Sequence, residues 1–144
     1  MKLVVDSNVL FTFFWKNSVL HNILKQPIEL FSPQYALEEI NKYAKELMEK
    51  TSLSKEEFKK TMQKLAHIVY FIPIEEYSSS FHKVTALRSK LSAQNYNEII
   101  KDIDFLALAI HLQCPLWSND LLLKKQSTVS VLTTKEIIEL LDLK

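Results

Sequence analysis

Short runs of β-branched and aromatic residues recur along the chain, each followed by a longer stretch whose apolar positions have helical spacing. Lys2 to Asp6 reads as a buried strand, and Val19 to Lys25 as part of a following helix that ends before Pro27. Leu30 and Phe31 make a short second strand. Ser32 as N-cap and Pro33 as first helical residue then predict a long helix through about Lys50, and Ser54 with Glu57 forms a capping box for another, ending near His67. Ile68 to Ile72, stopped by Pro73, is a third strand. A helix from about Glu75 to Leu91 follows, and Ser92 to Lys101 is polar and irregular. Asp102 opens IDFLALAIHL, apolar on nearly every side and therefore a buried helix. Pro115 to Trp117 is a short strand running into Ser118, Asn119 and Asp120; Val129 to Leu132 is the last strand, and Thr133 with Glu136 caps a terminal helix. This alternation predicts an α/β protein with a parallel sheet covered on both faces and right-handed crossovers. No repeat, linker or low-complexity segment interrupts it, so residues 1–144 are expected to form one domain.

Composition narrows the chemistry. Apolar residues make up 47% and charged residues 24% of the chain, which describes an ordinary globular protein with a real core. Lys and Arg number 18 against 17 Asp and Glu, so no global field marks a polyanion or membrane-surface binder, and a polyanion partner would have to be held locally. The charged stretch from Lys45 to Lys60 reads as a solvated helical hairpin, with a polyanion path along its lysines as the competing reading. The single cysteine, Cys114, fits a reducing compartment and a core position. Asp6 and Asn8 break the N-terminal apolar run well short of a signal or membrane-spanning length, which points to a cytoplasmic protein. The absence of Gly removes the glycine-rich phosphate loops of mononucleotide and dinucleotide enzymes.

What remains is carboxylates at strand ends. In an open parallel sheet the ligand crevice lies beyond the carboxyl ends of the strands, and Asp6 and Asp120 follow the first and fourth of them. Asp102 begins the buried helix on the same face as Leu106 and Ala109. In the helix expected after Pro33, Glu39 borders the apolar stripe Ala36, Ile40, Tyr43, Ala44 and Leu47, whereas Glu38 shares a wet face with Gln34, Asn41, Lys42 and Lys45. Crowded carboxylates repel, and an oxygen-only set without His or Cys suits Mg²⁺ or Mn²⁺, ions that support hydrolysis of phosphodiesters. Each acid has an alternative reading: Asp6 and Asp102 as helix caps, SND as a turn.

Taken together, Asp6 with Asn8 in DSNVLF, Glu39 in EEI, Asp102 before FLALA, and SND ending at Asp120 resemble the PIN-domain ribonucleases over almost the whole chain. The resemblance implies a three-layer α/β/α sandwich with a central parallel sheet, and Mg²⁺- or Mn²⁺-dependent endonucleolytic cleavage of single-stranded RNA. It places the family's acidic quartet on Asp6, Glu39, Asp102 and Asp120, with Asn8 and Ser118 as supports near the metal. It further implies a toxin of a toxin-antitoxin pair, with an antitoxin protein as partner and a homodimer as assembly. The chain departs from the pattern at Asp104, which shares a helical face with Leu108 and His111 and is expected at the periphery.

Two rivals stand beside this reading. A phosphatase of the haloacid dehalogenase type needs a second acid where this chain has Asn8. A catalytically inactive PIN-like module binding RNA or protein would keep the fold without turnover. His21, His67, His82 and His111 lack any paired metal-ligand spacing. The aromatic run Phe11, Phe13, Phe14 and Trp15 is expected either in the core or, in part, at a dimer or partner interface.

Overall fold

A computed structural model describes residues 1–143. Five short strands, β1 (Lys2–Val5), β2 (Glu29–Pro33), β3 (Val69–Ile72), β4 (Leu116–Trp117) and β5 (Val131–Leu132), form one sheet in the order β3-β2-β1-β4-β5, every neighbouring pair parallel. The helices between them are α1 (Ser7–Phe11), α2 (Leu20–Ile23), α3 (Tyr35–Lys42), α4 (Ala44–Thr51), α5 (Lys55–Ile68), α6 (Ile74–Tyr77), α7 (Phe81–Thr85), α8 (Ala93–Ile99), α9 (Ile103–Leu112) and α10 (Thr134–Leu140). The protein is thus an α/β fold built on a parallel sheet, as its alternating pattern predicts. Among the described residues no helix is long and apolar enough to cross a membrane.

The centre of the sheet is its driest part. Leu3, Val4 and Val5 of β1 and Leu116 and Trp117 of β4 are fully buried, and Phe105 to Ala109 of α9 are buried at five successive positions. A helix that is apolar all round is stable only where neighbours cover every side. Here α9 packs on β1, β2 and β4 and is covered by α6 and α7. Burial of this apolar surface, at about 25 cal/mol per Å², favours the arrangement that keeps β1 and β4 at the centre.

Where the backbone departs from the predicted elements, the reason is local. Ser32 and Pro33 do not start a helix but finish β2: the Ser32 hydroxyl donates to the Val5 carbonyl at 2.9 Å, and Pro33 stands opposite Ile72 of β3. Helix α3 begins only at Tyr35, and the expected long helix bends at Tyr43, with φ −100° and ψ 12°, before resuming as α4. The stretch from Glu75 to Leu91 is not one helix. Three consecutive serines, whose hydroxyls compete for backbone partners, fall in a 3₁₀ turn (Ser78–Ser80) between α6 and α7, and a second turn (Ala86–Ser89) follows. Conversely, the polar stretch expected to be irregular forms α8, started by the Ser92 hydroxyl accepting from Asn95 N–H and anchored by buried Ile99. The two capping boxes, Ser54 with Glu57 and Thr133 with Glu136, form as expected. With no Gly in the chain, Ser52, Gln113 and Asp142 take the left-handed positions, at φ 59°, 55° and 54°.

Glu136 does more than cap α10. It also pairs with Lys124 in the 3₁₀ turn (Leu121–Lys125), so the turn that follows Asp120 is tied to the start of α10. Gln126, buried just beyond, bonds both the carbonyl and the N–H of Val129 and the carbonyl of Leu123. The Lys124 ammonium, then the backbone N–H and hydroxyl of Thr133, hold the Glu136 carboxyl down from 4.5 to about 2. A depressed folded pKa contributes stability that is present above the unfolded value and lost as pH falls through the folded one. Glu136→Gln should therefore lower the melting temperature at neutral pH, and the gap from the parent protein should close between about pH 4.5 and 2 in parallel thermal melts.

Candidate functional site

The strand order turns around between β1 and β4: from β1 the chain builds outward through β2 and β3, then returns to the other side of β1. A crevice opens at the carboxyl ends of the two strands flanking such a point. Val5 stands opposite Trp117 there, so the next residues, Asp6 and Ser118, leave the sheet side by side, and Asp6 N–H donates to the Trp117 carbonyl at 3.1 Å. Helix α9 leads into parallel strand β4 and so runs opposite to it, which brings Asp102, at its start, to the same edge. Helix α3 starts from the same edge after β2 and packs on α1, bringing Glu39 alongside.

Asp6 and Asp102 are both raised by burial and by the charges of the acids around them. Burial is the main force pushing the Asp6 carboxyl above its ordinary value; the charges of Asp120 and Glu39 push the same way, while the Ser118 hydroxyl and the Val9 N–H hold it down. Asp102 is raised to about 6, first by burial, then by the charges of Asp6, Asp120 and Glu39, against a small opposing pull from Lys101. Each of the other three acids is engaged locally. Asp6 Oδ1 accepts the Val9 N–H at 2.9 Å, Glu39 Oε1 accepts the Ser7 hydroxyl at 2.9 Å, and Asp120 Oδ1 accepts the Leu122 N–H at 3.0 Å. Asp102 occupies the N-cap position of α9, yet its side chain makes no cap hydrogen bond. The helix-cap alternative therefore describes Asp6 in part and does not describe Asp102, while Asp120, read alternatively as part of a turn, caps the 3₁₀ turn that follows it.

The supports differ from those expected. Ser118 is fully buried, accepts the Asp120 N–H at 3.1 Å and lies against Asp6. Asn8 is exposed and has no hydrogen-bond partner among the described residues; it faces a cleft beside Glu39. Ser7, buried beside it, is the residue that orients an acid, and the sequence reading passed over it. Asn119 was also read only as part of a turn. Its Oδ1 accepts the Thr134 N–H at 2.8 Å and its Nδ2 donates to the Thr134 hydroxyl, which also accepts from Trp117 Nε1. These bonds pin the loop carrying Asp120 to α10.

The neighbouring acids separate as the helical faces require. Glu38 is exposed, whereas Glu39 is half-buried. Asp104 is also half-buried rather than peripheral, but its carboxylate accepts the Tyr77 hydroxyl at 2.6 Å, and burial followed by Asp104 pushes that phenol well above its usual range. It ties α6 to α9. In the aromatic run Phe13 and Phe14 are core, while Phe11 and Trp15 reach the surface.

The donor set is carboxylate and hydroxyl oxygen, the chemistry of a hard divalent cation. The local donors hold the acids on four separate elements, and among the described residues no group of three or more His, Cys, Asp or Glu side chains is gathered so as to hold an ion.

Comparison with known proteins identifies the family. No curated protein matches the chain in sequence. A solved structure similar in fold is a chain of VapBC2 from Rickettsia felis bound to a DNA fragment from their promoter, at 16% identity and a TM-score of 0.66, covering 92% of this chain and 98% of that one. The profile of the PIN domain matches residues 4–142. A match over nearly the full length, on a parallel sheet with acids at its switch point, means that the chain belongs to the PIN-domain family.

Proposed function

We propose that the protein is a metal-dependent endoribonuclease that hydrolyses phosphodiester bonds of single-stranded RNA. The observation that carries the proposal is the placement of Asp6, Glu39, Asp102 and Asp120 around the β1–β4 crevice, where burial and the charges of the other acids raise Asp6 and Asp102. Carboxylates held near one another at a cost in repulsion are a mark of functional sites. These four are the residues that would hold Mg²⁺ or Mn²⁺. A bound ion of this kind supplies charge neutralisation and activation of water for in-line attack on a phosphodiester. Ser7 orients the Glu39 carboxylate, Ser118 and the Val9 N–H orient that of Asp6, and the Asn119–Thr134 bonds fix the loop bearing Asp120. Fold similarity to VapBC2 and membership of the PIN family support placing the protein as the toxin of a toxin-antitoxin pair, with an antitoxin protein as partner, a homodimer as assembly and the cytoplasm as its compartment.

One observation favours a second reading, an inactive PIN-like binding module: three of the four acids already accept local hydrogen bonds, and no three are gathered for an ion. Two experiments separate the readings. Purified protein should cleave single-stranded RNA with Mg²⁺ or Mn²⁺ and stop when EDTA is added; cleavage undiminished by EDTA overturns the metal-dependent mechanism, and no cleavage with either ion favours the module.

The acids carry internal controls. Glu39→Gln and Asp102→Asn should lower the RNA cleavage rate by orders of magnitude while the fold persists, because each removes a charge and keeps the shape. Glu38→Gln should leave it nearly unchanged, and Asp104→Asn should cost stability through the Tyr77 bond more than activity. In melting curves, Mn²⁺ should raise the transition of the parent protein and of Glu38→Gln, and raise it much less for Glu39→Gln, Asp102→Asn, Asp6→Asn and Asp120→Asn. Full activity in Asp102→Asn would return Asp102 to a structural role.

A further inference from the structure

Three large aromatic side chains lie open to solvent beside the acidic crevice. Tyr35 and Glu39 lie one turn apart on α3, and Tyr43, four residues on at the bend that ends the helix, lies beyond Glu39, so the two tyrosines bracket the acid over about 12 Å. They are 47% and 40% exposed, and the bend after α3 is what leaves Tyr43 standing clear. Glu39 raises the Tyr35 phenol more than any other group does, which marks the two side chains as close neighbours. On one side of Glu39 a cleft of about 310 Å³ is walled by Phe11, Trp15 and Tyr43, with Asn8 and Lys50 at its margin. On the other a cleft of about 260 Å³ lies between Tyr35 and Tyr43, with Lys42 beside it. Glu39 and Tyr43 belong to both.

We propose that these two clefts are base-stacking subsites, which seat the nucleobases on either side of the scissile phosphate of a single-stranded RNA against Trp15, Tyr43 and Tyr35. The proposal rests on the nuclease reading above and adds how substrate is held. Single strands are bound without a fixed sequence by aromatic faces on which successive bases lie, at a gain that alanine substitution measures per base. The Phe11 ring meets that of Tyr43 edge to face at 5.9 Å, which holds the Tyr43 ring steady. Lys42 Nζ lies over the Tyr43 ring, 5.5 Å from its centre, and brings a positive charge to the cleft between Tyr35 and Tyr43.

Charge selects the occupant. In the larger cleft Glu46 is paired with Lys50 at 2.7 Å, and Glu39, on the wall the two clefts share, has no salt-bridge partner among the described residues. The walls therefore suit a neutral planar base, while the phosphate between the clefts needs the cation that Glu39 would help to hold. Asn8 supplies a carboxamide with free donors and an acceptor at its rim, the groups that read a base edge. The resemblance gives Asn8 as a support near the metal; the proposal gives its carboxamide a role toward the base.

Trp15 makes the test direct, because it is 39% exposed while the second tryptophan, Trp117, is fully buried. With the full chain in EDTA, where turnover does not interfere, hexa-adenylate RNA should quench tryptophan fluorescence, and an abasic RNA hexamer of equal charge should not. Tyr43→Ala and Tyr35→Ala should weaken hexa-adenylate binding roughly tenfold each, and Tyr43→Phe should restore it. With Mn²⁺ the alanine variants should raise KM more than they lower kcat. Equal affinity for the abasic hexamer, or unchanged binding in both alanine variants, overturns the proposal. So does a sedimenting homodimer whose formation buries Trp15 and excludes the RNA. Cleavage without base-dependent quenching rejects the subsites and leaves the nuclease standing; base-dependent quenching without cleavage under any metal does the reverse.

Discussion

Repulsion among like charges at the point where the sheet divides is the constraint around which the rest of the molecule is arranged. Four carboxylates approach the ends of β1 and β4, where the apolar floor beneath them is fully buried and offers no solvation. The fold answers with donors held by backbone geometry: the first N–H groups of α1 for Asp6, the Ser7 hydroxyl for Glu39, and the 3₁₀ turn for Asp120. Asp102 receives none, and it is the acid raised to about 6. The difference is instructive, since a half-buried carboxylate without a hydrogen bond among the described residues is the one most in need of a cation or a proton. Asp102 is set in place by α9, whose residues Phe105 to Ala109 are buried against β1, β2 and β4 and under α6 and α7.

The topology was readable because the strands are short, apolar and separated by helix-length stretches. That pattern leaves little choice but parallel crossovers. Individual boundaries were less readable, for reasons that can be named. Ser32-Pro33 has the residues of a helix start, but the Ser32 hydroxyl found the Val5 carbonyl across the sheet, a partner that no local rule can see. The helix α8 was hidden by polar residues, though Tyr96, Ile99 and Ile100 already carried the i, i+3, i+4 spacing that anchors it. The serine run at 78–80 interrupts a helix that periodicity alone would continue.

At the candidate site, the acids were legible and their attendants were not. Asp6 and Asp120 announce themselves because they end strands, and Glu39 and Glu38 separate because adjacent helical residues point about 100° apart. Ser7 and Asn119 could not be singled out the same way. A serine between Asp6 and Asn8 looks like a spacer, and its role appears only when α3 packs against α1 and brings Glu39 within 2.9 Å. Asn119 has the look of a turn residue until α10 arrives with an unpaired N–H at Thr134. In both cases the informative partner lies far away in the chain, 32 and 15 residues on.

The two acids of DID show how one helix serves two ends. Asp102 and Asp104 are separated by only two positions, so their side chains leave α9 on different faces. The first faces the other carboxylates and has no hydrogen-bonding partner; the second faces α6 and accepts a short bond from a buried tyrosine. That second bond ties α9 to α6, where Tyr77 is buried among core side chains and its ring meets Phe81 edge to face. An acid satisfied at Asp104 thus stands two residues from one that makes no cap hydrogen bond at Asp102. Moving the charge by two residues would lose both effects: Asp104 would no longer anchor the helix, and nothing at its position would meet the other three carboxylates. The same division runs through the aromatic run at the start of the chain, where Phe13 and Phe14 spend their surface on the core and Phe11 and Trp15 keep theirs for the crevice.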